Sequence, residues 1–267
     1  MADDYGSIFS LRLGSERAMV VSSWQMVKEC FSINDRNFAT RPNMAVSRYM
    51  GYNSAVFTLA PYGPYWREIR KMVVLELLTS QRIEKHKNVR TSEVKYLINE
   101  LYLLSLKNGD GNVGNQVKEA IKKGLYLSGV FVVSDVIPSL EWMDIGGHVK
   151  AMKQAAKELD IVLGKWVDEH VEKRKDCDSD KEADFIDVIL STLSKDAELF
   201  GHGRETIIKT TTLILILTGS ESTAETLTWV LALLLNHHHI LKAAQEELDI
   251  YVGRKKWVEE SDIRNLS

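Results

Sequence analysis

The sequence has little cysteine, little proline and no excess of charge of either sign. Its 267 residues include 2 cysteines and 4 prolines. Two cysteines cannot form a disulfide framework in a chain of this length, so a reducing compartment is expected. The 34 basic and 37 acidic side chains leave a net charge of −3, without the basic excess of a nucleic-acid-binding protein. We therefore expect no nucleic-acid partner.

Long hydrophobic runs are also scarce. Residues 1–5 carry two acids where a secretory signal needs basic residues followed by an apolar run. Only the window 213–235 approaches the ~20 apolar residues of a membrane-spanning helix. It contains Glu221 and Glu225, whose carboxylates are costly in lipid. We predict that this window is a buried helix of a soluble protein. At ~150 residues per domain, the length of the chain predicts one or two domains.

The hydrophobic residues, 45% of the chain, are enough for a core and follow mostly a helical period. The alternation of Phe9, Leu11 and Leu13 before a Gly-Ser pair predicts a β-hairpin over 8–21. Ser23 is the predicted N-cap of the helix that follows. Helices are predicted over 23–31, 65–78, 80–106, 116–133, 146–174, 184–195, 204–236 and 240–252. The fold class is mainly α with a small N-terminal β-hairpin.

Two short motifs are weak indications of a ligand site. Residues 109–114 match G-x-G-x-x-G, but the apolar run 101–104 before them belongs to a helix, whereas a dinucleotide site needs a preceding strand. We predict a loop there. The run His237-His238-His239 places its imidazoles about 100° apart on a helix, so they cannot readily share one ion. We predict a helix end and not a metal site.

The segment from Leu217 to Thr223 interrupts the apolar helix 204–236 with polar residues. Glycine in a helix interior costs up to ~1 kcal/mol relative to alanine, and a buried carboxylate costs more unless it is paired. One interpretation is a polar seam closed by hydrogen bonds between helices. The other is a groove opened by Gly219, in which Glu221 and Ser222 relay protons to a small ligand.

A second candidate site lies in the predicted helix 65–78. Trp66 and Arg70 are four residues apart and so share one helix face. An indole N–H and a guanidinium on one face can both donate to a carboxylate. Taken alone, such a pair is more often an amphipathic surface.

Together, the pattern W-x-x-x-R and the pattern [A/G]-G-x-[D/E]-[T/S]-[T/S] resemble those of a cytochrome P-450. Stretches 34–42, 131–138 and 244–249 resemble plant microsomal members, in particular the group that includes nicotine N-demethylase and hydroxylases of coumarins and alkaloids. The likeness covers nearly the whole chain. It implies a partial cytochrome P-450 fold in which 204–236 is the long central oxygen-binding helix.

The resemblance implies a heme cofactor and a role for each candidate residue. Trp66 and Arg70 would bind a heme propionate. Thr218 and Gly219 would line the oxygen groove above the iron. The family reaction would insert one oxygen atom of dioxygen into a small apolar substrate, with electrons from NADPH delivered by a cytochrome reductase.

Two further sets of residues take their roles from the same resemblance. Glu221 and Ser222 would be the catalytic acid–alcohol pair that delivers protons to dioxygen. The substrate pocket would be lined by Phe57, Thr58 and Leu59 and by the stretch from Leu125 to Phe131.

The chain departs from the family pattern in several places. The axial thiolate of the family comes from a cysteine within F-x-x-G-x-R-x-C-x-G, and neither Cys30 nor Cys177 lies in such a segment. No residue is therefore predicted to ligate the iron. No arginine has a glutamate three residues before it, so the family's E-x-x-R pair is missing. Thr218 replaces the usual Ala or Gly, and Ser222 replaces the usual Thr.

These departures predict a shortened family member. A segment of core helices is expected to be missing near 109–116, and residues 1–267 are expected to form one truncated domain that is inactive alone. The family resides on the cytosolic face of the endoplasmic reticulum membrane, whereas this sequence shows no anchor and is predicted to be soluble and cytoplasmic. Two alternatives stay open: a non-catalytic helical interaction protein and the product of a truncated gene model.

Overall fold

The computed structural model describes residues 2–107, 115–174, 183–254 and 256–266. The predicted loop 109–114 and Cys177 lie outside these residues. The chain forms two compact units, one from residues 1–82 and 112–215 and the other from residues 83–111 and 216–267.

Helices dominate both units. The α-helices are α1 (Ala2–Tyr5), α2 (Trp24–Lys28), α3 (Asp35–Phe38), α4 (Ala45–Tyr49), α5 (Pro64–Met72), α6 (Ser80–Lys85), α7 (Lys87–Lys107), α8 (Asn115–Ser128), α9 (His148–Lys173), α10 (Phe185–Thr192), α11 (Arg204–Asn236) and α12 (His238–Tyr251). The strands are β1 (Ile8–Leu13), β2 (Glu16–Val21), β3 (Glu198–Leu199) and β4 (His202–Gly203). Single π-helical turns, Glu29–Ile33 and Val73–Leu77, extend α2 and α5. The predicted helix 80–106 is divided into two, and 116–133 ends earlier than expected.

The predicted hairpin forms with β1 antiparallel to β2 and Leu13 opposite Glu16. Its turn needs glycine, because Gly14 has φ +60° and a Cβ there would lie 2.3 Å from the Val136 carbonyl oxygen. The Ser15 backbone N–H donates to that same carbonyl at 2.8 Å. The turn of the hairpin is therefore hydrogen-bonded to the segment around Val136. β3 and β4 form a second, shorter hairpin that the sequence did not predict.

The core of the first unit lies where α5, α9, α10 and the first half of α11 meet. Ile69, Ile189, Ile207 and Ile208 are each at most 1% exposed. Burying an isoleucine side chain contributes roughly 1.5–3 kcal/mol, so these contacts position the helices that carry the candidate residues. Helix α11 begins and ends as the sequence predicts.

The second half of α11 corrects one sequence prediction. The window 213–235 was expected to be a buried helix, but residues 218–231 are exposed and Trp229 has 70% of its surface accessible. Hydrophobicity indicates that side chains favour burial, but it does not indicate that other parts of the same chain will bury them. Within the described residues, nothing buries the second half of α11. No helix in the described part of the chain is long and apolar enough to span a membrane.

A histidine joins α9 to the start of α10. His170 Nε2 lies 2.6 Å from Asp184 Oδ2, and its Nδ1 lies 2.6 Å from the Trp166 carbonyl oxygen. Both partners are acceptors, so the doubly protonated ring is the form that satisfies both contacts. Burial lowers the pKa of His170, but the hydrogen bonds to Trp166 and Asp184 outweigh it and leave the pKa raised. Asp184 also caps α10 by accepting from the N–H groups of Ile186 and Asp187.

The raised pKa of His170 predicts that the free energy of unfolding falls as the pH rises above about 6.5. The folded chain holds this proton more tightly than the unfolded chain. The stabilisation is therefore fully present below the unfolded pKa and is lost as the pH rises through the folded pKa. Urea unfolding over this pH range measures it. His170→Gln should flatten the dependence and the exposed control His238→Gln should retain it; an unchanged slope in His170→Gln would contradict the assignment.

Candidate functional site

Helix α5 presents Trp66 and Arg70 on one face, as their spacing predicts. The Arg70 Cζ lies 5.2 Å from the centroid of the Trp66 ring, and the centroid of the Tyr62 ring lies 5.3 Å from the same centroid. Trp66 is half-buried against the core of the first unit, whereas Arg70 is exposed. Among the described residues, neither the indole N–H nor the guanidinium has a hydrogen-bond or ion-pair partner. The pair therefore offers two oriented donors to an external carboxylate.

The polar segment of α11 satisfies its hydroxyls within its own helix. Ser220 donates to the Ile216 carbonyl, Ser222 to the Thr218 carbonyl and Thr223 to the Gly219 carbonyl, each at 2.6 Å. These are bonds to the residue four positions earlier. These three hydroxyls therefore do not form the polar seam between helices, which was one of the two interpretations of the sequence.

Gly219 has open space around it. A Cβ built at this position meets nothing within 4 Å, apart from the backbone of its own helix turn. Glu221 and Ser222 follow it on the same exposed stretch. An exposed carboxylate can exchange protons with a ligand or with water. The exposed stretch is therefore available to an external group.

The predicted substrate residues lie in the first unit on two segments. Phe57, Thr58 and Leu59 are half-buried in the turns before α5, and Phe57 packs against the core. Phe131 follows α8 and is 62% exposed, whereas Leu127 one turn before it is buried. The structure thus places Phe131 where an apolar ligand could reach it.

One cluster of potential metal ligands occurs among the described residues, formed by His170, Asp184 and Asp187. The 2.6 Å between His170 Nε2 and Asp184 Oδ2 is a hydrogen-bond distance. Two ligands of one zinc ion, each ~2.0–2.1 Å from it, would lie farther apart. The cluster is therefore an ion pair. Within the described residues, Cys30 lies half-buried in the π-helical turn after α2.

Comparison with known proteins identifies the family. The sequence model of the family described as cytochrome P450 matches residues 1–117 and 110–267. The chain belongs to the cytochrome P-450 family.

Plant relatives and animal structures agree with this assignment. Xanthotoxin 5-hydroxylase of Arabidopsis thaliana is 41% identical over all of this chain, which covers 59% of that relative. Nicotine N-demethylase of Nicotiana tabacum is 39% identical, with 100% and 58% covered. The chain therefore spans about three fifths of the length of these relatives. A zebrafish cytochrome P-450 solved with progesterone superposes with a TM-score of 0.73 at 22% identity, covering 99% of this chain and 66% of that one, and shows the shared fold.

The first unit contains one polar network that the sequence did not predict. Asp160 accepts from both the Tyr52 hydroxyl and Lys209 Nζ, although the three residues lie far apart in the chain. The available signal was Lys209, which directly follows Ile207 and Ile208, because a lysine in a largely apolar helix is costly to bury without partners.

Gly219→Ala should stabilise the chain by up to ~1 kcal/mol, because alanine is the better helix former and the new Cβ meets no neighbour. The matched control is Gly51→Ala, whose Cβ would lie 2.6 Å from the Ser47 carbonyl oxygen and should destabilise the chain. Urea unfolding followed by circular dichroism measures both. If Gly219→Ala is destabilising, the space beside this glycine is not open.

Proposed function

We propose that this chain supplies the propionate-binding, oxygen-groove and substrate-pocket parts of a heme-dependent monooxygenase that hydroxylates an apolar plant secondary metabolite. The observation that carries the proposal is the stacked pair Trp66 and Arg70 on α5, in a chain of the cytochrome P-450 family. The electrons would come from NADPH through a cytochrome reductase at the cytosolic face of the endoplasmic reticulum membrane, as in the family.

The donor set on α5 fits the propionate edge of a heme. Arg70 supplies a permanent positive charge and Trp66 a neutral N–H. The ring of Trp66 holds the guanidinium by a cation–π contact, which limits its motion before a carboxylate arrives. Both side chains would then donate to the same carboxylate. Bound heme would supply the one-electron and oxygen chemistry.

The polar stretch of α11 fits a proton relay. Gly219 leaves room for a small ligand close to the helix backbone, and Thr218 lines the same turn. Ser222 donates to the Thr218 carbonyl, so its oxygen can accept a hydrogen bond in this state, and its hydroxyl would have to turn away from that carbonyl to pass its own proton to a ligand while it takes up another. Glu221 is the adjacent carboxylate that would exchange protons with solvent.

The substrate class is supported by the relatives. Their names give xanthotoxin, strychnine and nicotine as the compounds they act on. A small, mainly apolar plant metabolite would suit the half-buried segment Phe57, Thr58 and Leu59 and the exposed ring of Phe131.

Residues 1–267 alone would lack this activity, because the thiolate that favours O–O cleavage has no candidate among them. We also propose that they form one shortened domain with a deletion near 109–116. Two observations support the deletion: the family matches meet at 110–117, and the alignment with xanthotoxin 5-hydroxylase extends over 309 positions for a chain of 267.

Heme titration of the purified chain tests the proposal. Arg70→Gln should weaken heme binding about tenfold or more, because a hydrogen bond to a charged group contributes roughly 1.5–3 kcal/mol. The control is Arg67→Gln, since Arg67 lies on the same helix but stacks on Tyr62. Equal losses in the two variants would contradict a specific role for Arg70. Absence of heme uptake by the unaltered chain would instead favour a non-catalytic helical protein.

The spectrum of the reduced chain under carbon monoxide tests the missing thiolate. We expect heme bound to residues 1–267 to show no Soret band at the thiolate position, and we expect no hydroxylation with reductase and NADPH. A band at that position would show that one of the two cysteines ligates iron and would overturn the expected inactivity.

A further inference from the structure

Three consecutive residues ahead of the predicted substrate segment have left-handed backbone conformations. Tyr52, Asn53 and Ser54 have φ values of 51°, 54° and 66°. L-residues other than glycine seldom adopt this region, because Cβ comes too close to the following carbonyl oxygen. Such a run persists only where surrounding contacts determine it.

Hydrogen bonds between residues close in the sequence hold part of this left-handed run. The N–H of Ser54 donates to the Ser47 carbonyl at 2.9 Å, and the N–H of Val56 donates to the Gly51 carbonyl at 3.1 Å. Directly after the turn, the Ala55 carbonyl accepts a hydrogen bond of 2.5 Å from the buried Tyr65 hydroxyl of α5. The Asn53 N–H also donates to the Arg48 carbonyl at 3.2 Å, so backbone bonds hold the turn as well as the residues after it, but none of them involves the side chain of Tyr52.

The Tyr52 side chain is held by a polar network that joins the turn to two helices. Its hydroxyl donates to Asp160 Oδ1 of α9 at 2.9 Å. The same oxygen accepts from Lys209 Nζ of α11 at 3.0 Å, and Lys209 also pairs with Glu205 at 2.7 Å. Burial, followed by the bond to Asp160, raises the pKa of Tyr52, so the hydroxyl stays protonated and continues to donate.

Lys209 gives the network its rigidity. It is 8% exposed, and a buried ammonium needs partners on more than one side. Burial lowers the pKa of Lys209, but the bonds to Glu205 and Asp160 outweigh it and leave the pKa raised, so the charge is kept. Asp160 is thereby held between a cation from α11 and a hydroxyl from the turn.

We propose that Tyr52, Asp160 and Lys209 are positioning residues that hold the left-handed turn and so set the place of Phe57, Thr58 and Leu59. Phe57, Thr58 and Leu59 are separated from the turn only by Ala55 and Val56, which are both buried. The consequence for substrate selection rests on the proposed function, since it requires that 57–59 face the substrate. The positioning itself requires neither heme nor substrate.

Hydrogen–deuterium exchange of the purified chain tests the proposal. Tyr52→Phe removes one hydroxyl and should make the amides of 53–59 exchange about tenfold faster, while those of 207–213 stay unchanged. The matched control is Tyr49→Phe, which removes a hydroxyl bonded to another carboxylate, that of Glu141, from the neighbouring helix α4. Unchanged exchange at 53–59, or an equal increase in Tyr49→Phe, would overturn the proposal.

A double-mutant cycle separates positioning through Asp160 from general loosening. If Tyr52 acts through Asp160, Tyr52→Phe adds no further acceleration once Asp160→Ala is present. Asp160→Asn keeps an acceptor oxygen and should restore most of the slow exchange. Additive effects, or no restoration by asparagine, would overturn the network. Because exchange is read without heme, a failed heme titration would contradict the proposed function and leave this result standing.

Discussion

Burial of the first half of α11 is the constraint on which the first unit depends. Ile207 and Ile208 are adjacent and both 0% exposed. Successive helix residues point about 100° apart, so two such residues require neighbours on more than one side of the helix. Those neighbours include α5 and α10, through Ile69 and Ile189. The packing that buries α11 therefore also fixes α5, and with it the direction in which Trp66 and Arg70 face.

The same helix changes character along its length. Residues 207–213 are buried, and residues 218–231 are exposed. In the exposed part, the hydroxyls of Ser220, Ser222 and Thr223 bond back to their own helix and need no other protein group. A glycine and several hydroxyls can thus continue a regular helix without support from a neighbour. The polar segment around Gly219 can remain exposed and helical because the buried first half of α11 stabilises the helix.

Patterns that are local in the chain were predictable, and contacts between distant residues were not. Helix α11, the hairpin over 8–21 and the shared face of Trp66 and Arg70 follow from period and spacing alone. The burial assigned to 213–235 was wrong because hydrophobicity describes a side chain's preference and not its surroundings. The left-handed turn at Tyr52 could not be predicted, since three residues without glycine give no signal for it and Asp160, the partner of the Tyr52 side chain, lies on another helix.

Two parts of heme chemistry make different demands on a chain of this family. Binding a propionate needs charged and N–H donors at the periphery of the macrocycle, and in the proposed function Arg70 and Trp66 of α5 would supply both. Electron donation that favours O–O cleavage needs a thiolate on the iron. Neither cysteine of the sequence lies in the F-x-x-G-x-R-x-C-x-G pattern that carries this thiolate in the family. The peripheral donors depend on the packing of α5, so the proposed propionate site can form independently of the residue that would make the iron reactive.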